Sequence, residues 1–159
     1  MLTVQIICIG NLKERYWKDA CAEYCKRLSA FCRVQVVELP ESRLPENPSE
    51  AQIRKAMEEE GERILQKAGN SVLLPLCIEG TQVDSPGLSS CLEELMVSGV
   101  SAVSFVIGGS FGLADEVKRR GRKRLSMSKM TFPHQLARVM LLEQVYRAFM
   151  ILNHTKYHK

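Results

Sequence analysis

The hydrophobic and polar positions of the chain follow two alternating periods. Short apolar runs rich in Val, Ile and Leu predict β-strands at residues 2–9, 34–39, 72–78, 102–107 and 124–128. Apolar residues that recur every three or four positions predict helices at residues 14–30, 49–67, 88–97, 113–120 and 133–152. Because strands and helices alternate without a repeat or a linker, we predict one α/β domain over residues 1–159. Its sheet should be mainly parallel, with helices on both faces.

The last predicted helix is apolar around most of its circumference. Thirteen of its 20 residues, from 133 to 152, are hydrophobic. Such a helix must be buried on more than one side, which a chain of 159 residues can achieve most simply in a two-fold homodimer. A central helix within one subunit would explain the same pattern, so the dimer is a prediction with one alternative.

Charge is distributed unevenly along the chain. Residues 1–116 contain 11 basic and 17 acidic residues, whereas residues 117–159 contain 11 basic residues and a single acidic one, Glu143. Six of the seven residues from 118 to 124 are Lys or Arg. This asymmetry predicts a polyanionic partner such as nucleic acid at the C-terminal quarter, although a solvated basic face is the simpler explanation of charge alone.

Composition argues against several other classes of protein. No stretch approaches the roughly 18 apolar residues of a membrane helix, and the N-terminus predicts a strand rather than a signal peptide, so we expect a cytoplasmic protein. The six cysteines form no C-x-x-C pair and are expected to be small buried hydrophobic residues. Only Cys21 and Cys25 share a helical spacing, and no further ligand completes a metal site, so no metal is predicted.

Four segments carry candidate chemistry. Residues 105–112 are a strand that runs into glycines, which would let a ligand approach the backbone closely, and residues 74–80 are a second strand that ends at a glycine. Residues 125–138 mix polar and apolar positions before a helix, and residues 153–159 combine an aromatic ring with two histidines and two lysines. Each segment alone also fits an ordinary turn, strand end or frayed terminus. Neither a dinucleotide fingerprint nor a Walker A loop is present.

Together these segments resemble a known family. Residues 128–135, 143–149 and 157–159, with the glycine segment, are similar to the ribosomal RNA large subunit methyltransferase H family of the SPOUT superfamily, and the resemblance spans the chain. It implies a C-terminal trefoil (α/β) knot, a homodimer, and transfer of a methyl group from S-adenosyl-L-methionine to N3 of a pseudouridine in large-subunit (23S) ribosomal RNA, acting on the ribosome. The implied cofactor-binding residues are Leu76, Gly108, Met127, Ser128, Lys129, Met130, Thr131 and Phe132.

The resemblance also implies catalytic residues near the C-terminus. His158 is the expected general base, Tyr157 would stack on the target base, and Arg147 would contact RNA phosphate with Glu143 as its ion-pair partner. His154 and Lys156 stand where the family commonly has Gly and Pro. In a dimer, this tail could reach the cofactor site of the other subunit.

Two other functions remain open on the sequence. The basic C-terminal quarter would also suit a non-enzymatic RNA-binding or ribosome-assembly module, which should not recognise S-adenosylmethionine. A small nucleotide-dependent enzyme could use the glycine segment, but the chain has no phosphate-binding fingerprint to support it.

Overall fold

The computed structural model describes all residues from 1 to 159 as alternating strands and helices. The strands are β1 (Thr3–Ile9), β2 (Arg33–Leu39), β3 (Val72–Gln82), β4 (Ala102–Ile107) and β5 (Leu125–Ser126). The helices are α1 (Arg15–Leu28), α2 (Glu50–Ala68), α3 (Ser85–Val97), α4 (Asp115–Arg120) and α5 (His134–Leu152). Every predicted element is present in the predicted order, and the differences lie only at the ends of elements.

Local side-chain contacts explain where the helices begin. Ser49 forms a capping box at the start of α2: the Gln52 amide donates to the Ser49 hydroxyl, and the Gln52 side chain accepts from the Ser49 amide. Helix α3 begins three residues earlier than predicted. The Asp84 carboxylate accepts a hydrogen bond from the Gly87 amide at 2.7 Å and so caps a first turn that also contains Pro86.

Strand β3 continues through Pro75, although a proline cannot donate to a β-ladder. The segment that leads to β5 passes beside this position, where the Arg122 amide donates to the Leu73 carbonyl at 2.8 Å. A Cβ atom on Gly121 would lie 2.6 Å from the Pro75 ring, so only glycine allows the two segments to approach this closely. The missing N–H of Pro75 is therefore tolerated because Gly121 packs against its ring instead of accepting a hydrogen bond.

The five strands form a sheet in the order β2-β1-β4-β3-β5, and every pairing is parallel. Alternate residues of β1 face opposite cores. Val4, Ile6 and Cys8 belong to a core shared with α1, α3 and α5, whereas Ile7 and Ile9 belong to a core shared with α2 and α4. The predicted parallel sheet with helices on both faces is confirmed. The carboxyl ends of β1, β3 and β4 lie at one edge of the sheet, where ligands bind in such folds.

Three of the six cysteines are buried in the core as predicted: Cys8, Cys21 and Cys32. The other three are only half-buried, and all six thiols are free. Burial raises the pKa of Cys8 to about 12 and those of Cys21 and Cys32 to about 11, which keeps these thiols protonated and unreactive. No group of three or more His, Cys, Asp or Glu side chains is placed to hold a metal ion. None of the five helices combines the length and the apolarity needed to cross a membrane.

Candidate functional site

A cleft of about 570 Å³ opens at the carboxyl ends of β3 and β4. Three separate segments form its walls: the end of β3, the glycine turn after β4, and the loop between β5 and α5. These are the three segments that the sequence resemblance predicts to bind a cofactor. Of the predicted cofactor-binding residues, the cleft is lined by Leu76, Gly108, Met127, Ser128, Met130, Thr131 and Phe132. Lys129 lies in the same loop and does not line the cleft.

The glycines after β4 form a tight turn. The Gly112 amide donates to the Gly109 carbonyl at 3.0 Å, and Gly112 has a φ of +86°, which favours glycine. A Cβ atom on Gly108 would lie 2.8 Å from the Gly112 carbonyl carbon. The absent side chain of Gly108 therefore leaves room for the turn itself, and Gly108 also lines the cleft.

The loop between β5 and α5 is held by its own hydroxyl groups. The Ser126 hydroxyl donates to the Ser128 carbonyl at 3.0 Å, and the Ser128 hydroxyl accepts from the Met130 amide at 3.0 Å. These two contacts curl the loop around one side of the cleft. The Met130 side chain is 73% exposed, so it stands at the rim and not in the floor.

Charged and polar side chains also line the cleft, and the sequence did not single them out. Glu79, at the end of β3, forms an ion pair with Lys118 of α4, and His134 begins α5. The hydrogen bond from Lys118, with a smaller effect of the charge on Arg124, holds the pKa of Glu79 below its ordinary value. The position of Glu79 could have indicated its role, because residues that follow a buried strand often line a cleft. Lys118 gave no such indication, since it is one of six basic residues in a single run.

A buried arginine fixes the start of α5. Arg138 is 2% exposed, and its Nη1 atom donates to Oε2 of Glu38 at 2.7 Å. The same carboxylate oxygen accepts from the Leu12 amide at 3.0 Å, and Nη2 of Arg138 donates to the Gly10 carbonyl at 3.4 Å. These contacts tie α5 to the ends of β1 and β2. Because His134 lies one turn before Arg138, they also position the wall of the cleft.

The C-terminal tail folds back onto α5 and brings the three predicted catalytic residues together. Arg147 donates from Nε to Glu143 at 2.8 Å, so the predicted ion pair is present. The Tyr157 hydroxyl donates to the other carboxylate oxygen of Glu143 at 3.0 Å, and the Arg147 guanidinium lies 4.7 Å from the centre of the Tyr157 ring. Nη1 of Arg147 is 3.3 Å from Nδ1 of His158. Burial, followed by the hydrogen bond to Glu143, raises the pKa of Tyr157, so its phenol remains a neutral donor.

We call Glu143, Arg147, Tyr157 and His158 the tail cluster. None of the four lines the cleft of its own chain. A second hollow of about 450 Å³ lies between the tail cluster and the cleft. It shares Leu76, Ser126 and Met127 with the cleft and is bordered on its other side by Glu143 and Gln144.

The turn that leads into the tail explains the departure at His154. The Thr155 amide donates to the Met150 carbonyl and the His154 amide donates to the Ile151 carbonyl, both at 3.0 Å. This pair of hydrogen bonds ends α5 in a Schellman motif, which requires a left-handed residue. His154 supplies it with a φ of 55°, a conformation that glycine adopts more readily.

Comparison with known proteins identifies the family. A family model described as a predicted SPOUT methyltransferase matches residues 2–158. The ribosomal RNA large subunit methyltransferase H of Bacillus thuringiensis (strain Al Hakam) is 51% identical over 159 residues, covering 99% of this chain and 100% of the relative. The chain belongs to this family of SPOUT methyltransferases. A second member, from Leuconostoc mesenteroides subsp. mesenteroides, is 48% identical with the same coverage.

Solved structures of SPOUT-type methyltransferases share the fold at low sequence identity. A probable methyltransferase from Bordetella pertussis Tohama I matches with a TM-score of 0.55 at 12% identity, covering 91% of this chain and 93% of that one. With the all-parallel sheet, this likeness confirms the predicted SPOUT-type α/β fold, with which a C-terminal knot is consistent. At this identity it carries no argument about individual residues.

Proposed function

We propose that this SPOUT family member transfers a methyl group from S-adenosyl-L-methionine to N3 of a pseudouridine in large-subunit (23S) ribosomal RNA. The observation that carries the proposal is the cleft, in which three segments distant in sequence meet at the carboxyl ends of β3 and β4. The relatives' name, ribosomal RNA large subunit methyltransferase H, supports the class of substrate. We expect the protein to work in the cytoplasm, because ribosomes are assembled there.

The cleft suits S-adenosylmethionine in size and chemistry. Its volume of about 570 Å³ falls within the range of small-molecule sites, and about half of its lining residues are hydrophobic. Apolar side chains such as Leu76 and Met127 suit an adenine ring, and Glu79 supplies a carboxylate that can accept hydrogen bonds. When bound, S-adenosylmethionine supplies an activated methyl group. The residues of this chain need only position it in line with the attacking nitrogen.

We assign the target base to the tail cluster. Tyr157 offers an aromatic ring for stacking, and Arg147 offers a guanidinium group to the anion that forms when the N3 imide loses its proton to solvent hydroxide. Arg147 can only donate hydrogen bonds, so Nδ1 of His158 accepts, and in the neutral ring the proton is on Nε2. His158 therefore presents a hydrogen-bond donor in this arrangement. To act as the base predicted from the sequence through Nδ1, it would first have to release Arg147.

A homodimer would bring the tail of one subunit to the cleft of the other. Leu136, Met140 and Ile151 are half-buried residues of α5 that pack in neither core, and at helical spacing they form one stripe with Arg147. A second subunit packed on this stripe would bury it, as the predicted two-sided burial of the helix requires. The catalytic site would then combine the cleft of one subunit with the tail cluster of its partner.

The decisive experiment uses ribosomes from cells that lack the gene. Purified protein with S-adenosylmethionine should add one methyl group to a pseudouridine of large-subunit RNA, detected by nucleoside mass spectrometry. A ribosome-assembly module, the alternative function, would bind the ribosomes without adding a methyl group and would not bind S-adenosylmethionine in calorimetry. Methylation of uridine instead of pseudouridine would show that the proposed target is wrong.

Loop variants test whether the cleft is the cofactor site. Gly108→Ala should distort the turn against Gly112 and weaken S-adenosylmethionine binding at least about tenfold, the effect of losing about 1.4 kcal/mol. Gly99→Ala is the control. Gly99 is a left-handed turn residue, with a φ of +90°, and it lies before the opposite end of β4. It should lose stability and retain binding. Unchanged calorimetric affinity in folded Gly108→Ala would exclude this turn from the site.

A further inference from the structure

The run of basic residues from the last turn of α4 to the start of β5 is the most strongly charged surface outside the cleft and the tail cluster. Arg120, Arg122 and Arg124 are exposed and Lys123 is half-buried; we call these four residues the basic edge. None of them forms an ion pair with a carboxylate, whereas Lys118 in the same run is paired with Glu79. Arg119 is excluded from the basic edge because it shares a hollow with Glu58 and Glu62 of α2.

The backbone of the basic edge is held rigidly beside β3. The Arg122 amide donates to the Leu73 carbonyl at 2.8 Å, and the Arg124 carbonyl accepts from the Thr81 amide at 2.9 Å. Immediately before Arg122, Gly121 packs against the Pro75 ring. Four adjacent positive charges therefore project from a fixed strip and not from a flexible loop. Holding like charges together is unfavourable without a polyanion, and the fixed backbone lowers the entropy lost when one binds.

The position of the basic edge relates it to the site. Arg124 leads directly into β5 and the cleft-lining loop, and its charge acts on Glu79 at the cleft. At the other end, Arg122 and Lys123 lie near Cys91 of α3, where Glu94 is the nearby acidic group. The basic edge thus extends from the cleft towards α3. Three of its four side chains are arginines, whose guanidinium groups bind phosphate in a bidentate manner.

We infer that the basic edge is a docking surface for the phosphate backbone of ribosomal RNA, separate from the residues that bind the target nucleotide. It increases the affinity for the substrate and contributes little to the methyl-transfer step. This inference rests on the proposed function for the identity of the RNA. The surface itself can be tested by binding alone, because sequence-independent phosphate contacts give RNA binding a strong dependence on salt.

The test compares two variants that each lose three positive charges. The first is Arg120→Gln/Arg122→Gln/Lys123→Gln on the basic edge. The control is Lys18→Gln/Lys26→Gln/Arg33→Gln on α1 and β2, at the opposite side of the sheet, where the three side chains are exposed and unpaired. Binding of protein-free large-subunit RNA is measured by filter binding over a salt series. Turnover is measured on ribosomes with saturating S-adenosylmethionine.

We expect the basic-edge variant to bind RNA about tenfold or more weakly at low salt, and the slope of log affinity against log salt to fall by about 2 to 3. Its KM for ribosomes should rise while kcat remains close to that of the wild type, and the control should change neither quantity. Restoring charge with Arg120→Lys/Arg122→Lys should recover most of the salt slope. A basic-edge variant whose RNA affinity and slope match the control overturns the inference.

Two further outcomes separate this inference from its alternatives. Weaker binding to ribosomes with undiminished binding to protein-free RNA would identify an acidic ribosomal protein as the partner and would overturn the assignment to RNA. If the wild type fails to methylate ribosomes while the basic edge still governs RNA binding, the proposed function fails and the docking surface stands.

Discussion

Nη1 of Arg147 lies 3.3 Å from Nδ1 of His158, and this contact constrains the part that His158 can play. A guanidinium group has no acceptor, so the lone pair of Nδ1 is occupied and the neutral imidazole has its proton on Nε2. Glu143, which accepts from both Arg147 and Tyr157, holds this arrangement in place. The tail cluster thus combines a hydrogen-bond donor, an aromatic ring and a guanidinium group, and under the proposed function this set would hold the target base.

Substitutions of His158 distinguish a donor from a base. His158→Ala should lower kcat by at least about 100-fold in either role, and higher pH should partly restore it by ionising the imide. His158→Gln retains an N–H donor but cannot accept a proton, so we expect it to remain within about tenfold of the wild type. Single-turnover rates on ribosomes between pH 6 and 9 provide the measurement. If the Gln variant is as inactive as the Ala variant, His158 is the base.

Removal of the tail separates catalysis from cofactor binding. A chain lacking residues 157–159 loses the hydrogen bond from Tyr157 to Glu143 but none of the residues that line the cleft. We expect S-adenosylmethionine affinity and the oligomeric state to be retained, and methyl transfer to fall by at least about 100-fold. Calorimetry, light scattering and ribosome methylation report these three properties. Full activity in the truncated protein would show that the tail is only a frayed end.

The stripe on α5 predicts the oligomeric state. Light scattering should give twice the 18.0 kDa chain mass, and Leu136→Glu/Met140→Glu should give a monomer because two charges would be buried in the interface. The control is Val97→Glu at the end of α3, where the native side chain is 82% exposed, so the dimer should persist. A well-folded wild-type monomer at micromolar concentration would contradict the shared site.

The strained residue at the end of α5 predicts a stabilising substitution. His154 adopts a left-handed conformation that costs most residues about 1 kcal/mol or more, whereas glycine adopts it freely. His154→Gly should raise Tm by roughly 3 °C, the shift that about 1 kcal/mol produces in a chain of this size. Thermal unfolding at fixed protein concentration measures the effect. His154→Ala should not raise Tm. An equal rise in Tm from both substitutions would show that the gain comes from removing the imidazole and not from relieving backbone strain.

A buried carboxylate beside the glycine turn predicts a dependence of stability on pH. Glu60 is 7% exposed, and burial raises its pKa above the ordinary value despite a 2.8 Å hydrogen bond from the Ser42 amide. The stability that Glu60 contributes is fully present below its pKa in the unfolded chain. It is lost as pH rises through the higher pKa that Glu60 has in the folded protein. Glu60→Gln should therefore gain stability relative to the wild type as pH rises from about 4 to 7.

Urea unfolding at several pH values measures that difference. The matched control is Glu59→Gln, an exposed neighbour on the same helix, whose stability relative to the wild type should change little with pH. If the free energies of unfolding of Glu60→Gln and the wild type change in parallel across this pH range, burial does not perturb the pKa of Glu60.

The strands, the helices and their buried faces follow from local patterns in the sequence. Strand and helix periods are local properties. In β1, residues of the first core (Val4, Ile6 and Cys8) alternate with residues of the second (Ile7 and Ile9), and this alternation is visible in the sequence alone. The capping box at Ser49 likewise involves residues only three positions apart. The three walls of the cleft followed from resemblance, because their motifs are contiguous in the chain. Element ends differed from the prediction where a tertiary neighbour sets them: β3 extends past residue 78 to Gln82 because it pairs there with β5.

Contacts between residues that are distant in the chain depend on how the elements pack in three dimensions. Glu79 and Lys118 are 39 positions apart, and Glu38 and Arg138 are 100 positions apart, so no local pattern could pair them. The same holds for Gly108, whose missing side chain leaves room for Gly112, and for the hydrogen bond that sets the tautomer of His158. The hydrophobic periodicity of an element indicates which of its faces is buried, whereas the order of strands in the sheet determines which side chains meet.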